Sequence, residues 1–336
     1  MEYTTHRKKT FEDYEIQICD QYKLNTRERI GRGAFGDIFL GKHVKTNEKV
    51  AIKLERVDTE YPQLFYEAKI YMYLHGGAGI PNILWCGIQK NYNILVMDLL
   101  GRSLEDLLSL YHRKFQLKTV LMIGDQILKR IEYIHSRNFI IRDMKPQNFL
   151  IGLAKEKRNT IYAIDFGIAK RYRDPKTGLH INYKEGCDLM GCARFASINA
   201  LLGIEQSRRD DIEAFGYMLV YLAKGTLPWI GLRAKNMKEK YRKLKERKIE
   251  TNLIDLCHGL PDELKIIINY AREIQFEDKP DYNLIKKLIK SAMDRNKIKN
   301  DQKFEWNELY ENEDNESGGD SNDNNKKKKL EINTNL

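Results

Sequence analysis

Two short stretches constrain what this chain can fold into more than anything else in it. The first is Ile141-Arg142-Asp143-Met144-Lys145-Pro146-Gln147-Asn148, and the second is Ala163-Ile164-Asp165-Phe166-Gly167. One sets an aspartate, a lysine and an asparagine on a polar segment; the other ends an apolar run on an aspartate. Any one of these residues is common on a surface turn. In this order and at this separation they are the groups that phosphoryl transfer from a nucleoside triphosphate requires. Asp143 suits the carboxylate that orients a substrate hydroxyl and takes its proton. Asn148 and Asp165 suit oxygen ligands that hold magnesium against phosphates, and Lys145 suits a cation beside the transferred group.

From residue 22 to 98 the pattern is one of short strands with turn signals. The first runs into Gly31-Arg32-Gly33-Ala34-Phe35-Gly36-Asp37-Ile38, where glycines allow backbone N–H groups to approach phosphates. Alone, that spacing fits a plain hairpin turn equally well. Its context strengthens it: a strand over 38–44, a turn at 45–48, and then Val50-Ala51-Ile52-Lys53, a lysine closing an apolar strand. Such a lysine needs a carboxylate to orient it. Leu64, Ala68, Tyr71, Met72 and His75 recur at helical spacing, with Pro62 suited to the first turn and Gly76, Gly77 and Gly79 ending the helix. Glu67 lies on that helix; it is either an ordinary surface glutamate or the partner of Lys53, and its placement favours the partner. Strands over 83–88 and 92–98 follow.

At Leu99-Leu100-Gly101 strand patterning stops and helical patterning begins, which reads as a hinge. Ser103, with Asp106 after it, resembles a weak capping box. Leu117, Val120, Leu121, Ile127, Ile131 and Ile134 mark a long amphipathic helix leading to the 141–148 stretch. Beyond Asp165 a charged, glycine-containing segment to about residue 199 is the expected substrate-facing part. The run 211–224 is apolar nearly all round and closes at Gly225, as a buried central helix would. Residues 235–248 are densely basic with Met237, Tyr241 and Leu244 at helical spacing, and most of these charges read as a solvated face. From 312 the composition turns to Asn, Asp, Glu, Ser and Gly, then a lysine run at 326–329, the mark of a disordered tail. That run reads as solvated charge in preference to a nuclear address.

At 336 residues and 42% hydrophobic content the chain can bury a full core in two lobes. Five scattered cysteines without a C-x-x-C pair point to a reducing compartment, with no disulfide framework and no zinc site. The opening residues lack the basic and apolar regions of a signal peptide, and no apolar run is long enough to span a bilayer. A soluble intracellular chain is the expectation. A net charge of +10 fits acidic or phosphorylated partners as well as nucleic acid.

The stretches 141–148 and 163–167, the glycine-rich hairpin and Lys53 resemble the signature elements of protein kinases. The run Gly191-Cys192-Ala193-Arg194-Phe195-Ala196-Ser197-Ile198-Asn199, followed by Leu202-Gly203-Ile204-Glu205-Gln206-Ser207-Arg208-Arg209-Asp210-Asp211, closely resembles the casein kinase I family of serine/threonine kinases. So do Ser103-Leu104-Glu105-Asp106-Leu107, Leu227-Pro228-Trp229, Asp278-Lys279-Pro280-Asp281-Tyr282 and Phe304-Glu305-Trp306-Asn307. The resemblance covers residues 22 to about 309. It implies a bilobal α+β protein kinase fold over 20–310: a small antiparallel-sheet N-lobe with one helix over 20–98, and a larger, mainly helical C-lobe over 99–310. An N-terminal extension over 1–19 and a disordered polar tail over 311–336 would flank it.

By the same resemblance Asp143, Lys145, Asn148, Lys53 and Glu67 form the catalytic set. ATP is received by Ile30, Gly31, Gly33, Gly36, Ile38, Ala51, Lys53, Met97 as gatekeeper, Asp98, Leu100 and Asp165. Magnesium lies on Asn148 and Asp165. Asp211 accepts backbone N–H groups of the catalytic loop. Arg194, Lys240 and the backbone N–H of Gly231 form an anion pocket. The implied substrates are acidic proteins, or proteins carrying phosphate three residues before the acceptor. No nucleic-acid or membrane partner is expected of a monomer in the cytoplasm, with the nucleus left open. Four residues depart from the family pattern: Ile141 replaces His or Tyr, Cys192 replaces a threonine whose hydroxyl bridges the catalytic aspartate and lysine, Arg102 replaces Pro, and Phe195 replaces Tyr. A pseudokinase and a nucleic-acid binder are the competing classes; the full set of catalytic residues argues against the first, and the absence of any recognisable nucleic-acid module against the second.

Overall fold

The computed structural model describes residues 15–33 and 36–311. These form two compact units, 15–72 with 82–99 and 73–81 with 100–311. The first unit therefore runs one residue past the expected boundary at 98, and the end of its helix groups with the second. The polar tail from 312 onward, with its lysine run, and Ala34 and Phe35 of the glycine-rich hairpin lie outside the described residues.

The first unit is an antiparallel sheet of six strands, β1 (Glu15–Ile18), β2 (Tyr22–Gly33), β3 (Gly36–His43), β4 (Lys49–Arg56), β5 (Ile83–Gln89) and β6 (Tyr92–Asp98). Their spatial order is β1-β2-β3-β4-β6-β5. Residues 15–18, expected in an N-terminal extension, instead form the edge strand. Glu15-Ile16-Gln17-Ile18 alternates exposed and buried, and the two-residue period sends both isoleucines to the core face. The central strand β4 is buried from Val50 through Glu55. Val50, Ile52 and Leu54 on one face pack with Ile18, Leu24, Ile94 and Val96. Ala51, Lys53 and Glu55 share the other face, and Lys53 and Glu55 both reach helix α1 (Leu64–Leu74). That helix starts after Pro62, not on it.

The second unit is mainly helical. It holds α2 (Leu104–Leu110), α3 (Leu117–Ser136), α4 (Ile198–Leu201), α5 (Arg208–Lys224), α6 (Met237–Glu250), α7 (Leu253–Leu256), α8 (Asp262–Glu273) and α9 (Tyr282–Arg295). Two short ribbons complete it: β7 (Phe139–Ile140) pairs with β10 (Lys170–Arg171), and β8 (Phe149–Ile151) with β9 (Ile161–Ala163). Ser103 and Asp106 make a full capping box at α2, both bonds present, where the sequence suggests a weak one. The apolar stripe of α3, from Val120 through Ile134, is out of water. Truncating Ile127 or Ile131 there to alanine would cost about 2–5 kcal/mol. Helix α5 is buried on nearly every side and ends at Gly225, whose φ of +78° and N–H bond to Tyr221 O terminate it. No helix among the described residues is long and apolar enough to cross a membrane.

Candidate active site

The catalytic loop leaves β7 and returns through a 3-10 turn, Pro146–Asn148, into β8. Two non-glycine residues here, Arg142 and Asp165, each adopt a φ of +64°. Such backbone costs about 1–3 kcal/mol and persists only when its surroundings enforce it. For Arg142 the enforcement comes from Asp211 in the first turn of α5. Its buried carboxylate accepts the N–H groups of Ile141 at 2.7 Å and Arg142 at 2.9 Å. The same carboxylate takes a bond from His135 Nε2 at 2.8 Å, and Tyr282 O–H reaches His135 Nδ1 at 2.7 Å. A carboxylate only accepts, so the bond to Asp211 places a hydrogen on Nε2. Ile141 is buried, so an apolar residue at this position packs without disturbing the loop.

Asp143 is clamped on both carboxylate oxygens. Lys145 Nζ lies 2.7 Å from Oδ2, and Asn148 Nδ2 donates to the same oxygen at 3.1 Å. The backbone N–H of Cys192 donates to Oδ1 at 2.9 Å. This contact from residue 192 runs through the main chain, which any residue supplies, so the replacement of threonine by cysteine leaves it intact. Gly191 makes the approach possible: its φ is +90°, and a Cβ there would sit 2.2 Å from Arg142 O. Burial works against the Lys145 ammonium, but Asp143 and then Asp165 outweigh it and raise its pKa. Asn148 also spends its amide nitrogen on Asp143 O at 3.0 Å, which leaves its side-chain oxygen as the atom suited to a cation. Asn148 O accepts the N–H of Ile164, so the β8–β9 ribbon brings Asn148 and Asp165 to one end.

In the first unit Lys53 Nζ donates to Glu67 Oε2 at 2.7 Å, with the two residues 5% and 2% exposed. Glu67 is thus no surface glutamate. A third residue, absent from the sequence expectations, fixes the helix that carries it. Buried Glu55 accepts the N–H groups of Gln63 at 2.7 Å and Leu64 at 3.2 Å, and Asn93 Nδ2 at 3.0 Å. A carboxylate on the first free N–H groups of α1 satisfies them and meets the positive end of the helix dipole. The signal was available: Glu55 lies two residues after Lys53, on the same face of β4.

The residues expected around ATP keep sheet register in the first unit. Ile38 pairs across to Lys53, and Ala51 to Met97. Gly31 faces Ile38, and Gly36 has no room for a side chain, since a Cβ would lie 2.1 Å from Leu54 O. Ile30 lies next to Gly31 and Gly33 ends β2, while Asp98 closes β6 and binds Asn82. Leu100, half-buried, starts the second unit's main run. The expected anion pocket is less assembled. The Arg194 guanidinium lies 5.8 Å from the ring centres of Phe195 and Tyr221, Lys240 is exposed on α6, and Gly231 is exposed with a φ of +77°.

The basic run 235–248 contains an exception to the solvated face. Lys248 is fully buried, with Nζ against the carbonyls of Ala193, Arg194 and Ala196. Burial pushes its ammonium down to about 7, against the pull of Glu213. Its spacing carried the signal, because Met237, Tyr241, Leu244 and Lys248 continue one helical stripe.

A carboxylate clamped by a lysine and a main-chain N–H, beside an asparagine and a second aspartate, defines the centre of a phosphotransferase. Residues 24–300 match the family model of the protein kinase domain, most of the chain. The chain belongs to that family, and its substrates are proteins.

Protein kinase domains use ATP with magnesium, and the donor set here fits the metal. Asn148 and Asp165 offer hard oxygen, and magnesium takes one or two such ligands plus phosphates and waters. It would neutralise phosphate charge there. No cluster of three or more His, Cys, Asp or Glu suited to a metal occurs among the described residues.

Proposed function

We propose that the chain is a serine/threonine protein kinase of the casein kinase I type. It transfers the γ-phosphate of ATP to hydroxyls near acidic groups or near a phosphate three residues before the acceptor. The observation that carries this reading is the clamp on Asp143: Lys145 on one oxygen and the Cys192 N–H on the other. Residue 192 belongs to the 191–199 stretch, the one whose residues most resemble casein kinase I.

In this reading the substrate hydroxyl gives its proton to Asp143 as its oxygen bonds to the γ-phosphorus. The bond to the bridging oxygen breaks and ADP leaves. Lys145 steadies the charge on the transferred group. Lys53, oriented by Glu67, grips the α and β phosphates. Ile30, Gly31, Gly33, Gly36, Ile38, Ala51, Met97, Asp98 and Leu100 receive the nucleotide, and Asn148 and Asp165 hold magnesium. Substrate anions would meet Arg194, Lys240 and the Gly231 N–H. The exposure of Lys240 and the net charge of +10 support that preference.

The test is kcat/KM on one acidic peptide with and without a phosphoserine three residues before the acceptor. Arg194→Ala with Lys240→Ala should lower the primed value about ten- to a hundredfold, since each charge-assisted hydrogen bond contributes about 1.5–3 kcal/mol before screening. The unprimed value should change little. Equal losses on both peptides would contradict the pocket, and no transfer by the wild type to either peptide would contradict the kinase reading itself.

A further inference from the structure

We infer that Lys248 is a positioning residue for the reaction, which from α6 holds the main chain of residues 193–196 and thereby the Cys192 N–H on Asp143. The inference rests on the phosphotransfer role of Asp143. Lys248 Nζ donates to Ala193 O at 3.2 Å, Arg194 O at 3.2 Å and Ala196 O at 2.6 Å. A second donor converges on the same span, the indole N–H of Trp229, 2.7 Å from Arg194 O. The lysine nitrogen itself lies 4.7 Å from the ring centres of both Tyr217 and Trp229. Phe195, between the gripped carbonyls, is buried edge-on against Tyr221 at 5.3 Å. The span can neither slide nor rotate without breaking several of these contacts.

The other end of this short span is fixed to the catalytic loop. Gly191 packs on Arg142 O so closely that a Cβ would lie 2.2 Å away, and Cys192 N–H meets Asp143 Oδ1 at 2.9 Å. Cys192 therefore stands directly between two holds. It lies near enough to Lys145 and Lys248 to bear on the charge of each. Lysine suits the far hold for a chemical reason. Its apolar stem can be buried along a helix face while its tip donates in divergent directions, where the planar fork of arginine cannot. Packing alone does not explain it, because a buried cation is often replaced by an apolar side chain at no loss of stability. What an apolar side chain would not supply is the grip on three carbonyls.

Lys248→Met tests this, because it keeps the stem and removes the donors. The expected result is a kcat about tenfold lower with the KM for ATP within about twofold, a barrier change of about 1.4 kcal/mol. Amide hydrogen exchange should quicken over 191–197 while α5 stays protected. Lys248→Gln, which keeps N–H donors at a shorter reach, should recover part of the loss. Wild-type kcat together with unchanged exchange over 191–197 overturns the inference and leaves Lys248 a packing residue. If Lys248→Met does not fold, Lys248→Gln and Trp229→Phe decide it: a lowered kcat at unchanged Tm supports the inference, and kcat within about twofold in both contradicts it. The exchange pattern reads the grip even in a protein without phosphotransfer, so failure here is distinct from failure of the kinase reading.

Discussion

Lys53 in the first unit and Lys248 in the second are both nearly out of water, at 5% and 0% exposed, yet they are held in opposite ways. Lys53 meets a carboxylate, Glu67, at 2.7 Å. Lys248 meets main-chain dipoles and the faces of two rings. Taking an ammonium from water costs several kcal/mol, and an opposite charge offsets that more fully than dipoles do. The difference fits the role proposed for each lysine. A lysine that presents charge to a phosphate is steadied by an anion that sets its direction. A lysine that must fix a stretch of backbone is best surrounded by the carbonyls it fixes. One arrangement serves a ligand, and the other serves the chain itself.

Loss of the Lys53 side chain should have the largest effect. Lys53→Met should reduce kcat/KM for a peptide about a hundredfold, as expected when one oriented donor to a charged group is lost. It should also destabilise the protein by about 3–5 kcal/mol, because Glu67 would be left a buried charge without that partner. Denaturant unfolding checks the second effect, and a stability loss no larger than that measured for Lys248→Met would erase the distinction drawn between the two lysines. Adding Glu67→Leu to Lys53→Met should then restore much of the stability and none of the activity. Recovery of both would show that the pair serves the fold alone.

Glu67→Gln is the next in size. The amide still accepts from Lys53 but no longer directs it by charge, and a loss of about tenfold in kcat/KM is expected, read from initial rates. Cys192→Thr should be milder still, within about threefold of wild-type turnover, because residue 192 reaches Asp143 through its N–H. A tenfold fall, about 1.4 kcal/mol in the barrier, would mean that the site depends on the thiol.

The smallest effect is a pH dependence. Burial pushes the Lys248 ammonium down to about 7, where an unfolded lysine keeps its proton to about 10.4; the neutral amine still donates two N–H bonds to the carbonyls it grips, and the charged form three. Between those values the unfolded state binds the extra proton, so this group's contribution to stability rises with pH and is lost as pH falls through 7. The Tm of the wild type relative to Lys248→Met should therefore increase from pH 7 to pH 9. A constant difference would show that the three carbonyls and two rings keep the side chain charged throughout.

The same pair explains what could be read from the chain in advance. Phosphotransfer chemistry draws several groups from one loop, so Asp143, Lys145 and Asn148 stand together in sequence as well as in space. Lys53 and Glu67 were legible because a strand ending on lysine precedes a helix bearing a carboxylate. Lys248 was only half legible: it continues the stripe of Met237, Tyr241 and Leu244, but eight other basic residues between 233 and 247 hide one buried nitrogen, and nothing local names carbonyls on a distant segment. Glu55 was missed for a related reason: a glutamate near the end of a strand reads as exposed until a helix N-terminus is placed over it. The strand at 15–18 was lost among polar neighbours, although its two-residue alternation was present.

In the proposed reaction Asp143 accepts a proton from a protein hydroxyl as ATP gives up its γ-phosphate. The measurement that tests it most directly is transfer of labelled γ-phosphate to an acidic seryl peptide, by the wild type and by Asp143→Asn, with ATP affinity measured on both. The account predicts transfer by the wild type that requires magnesium, and a loss of about a hundred- to ten-thousandfold in the variant, whose ATP affinity stays within about twofold. Wild-type turnover in Asp143→Asn, or ATP bound by the wild type with no phosphate reaching the peptide, would contradict it.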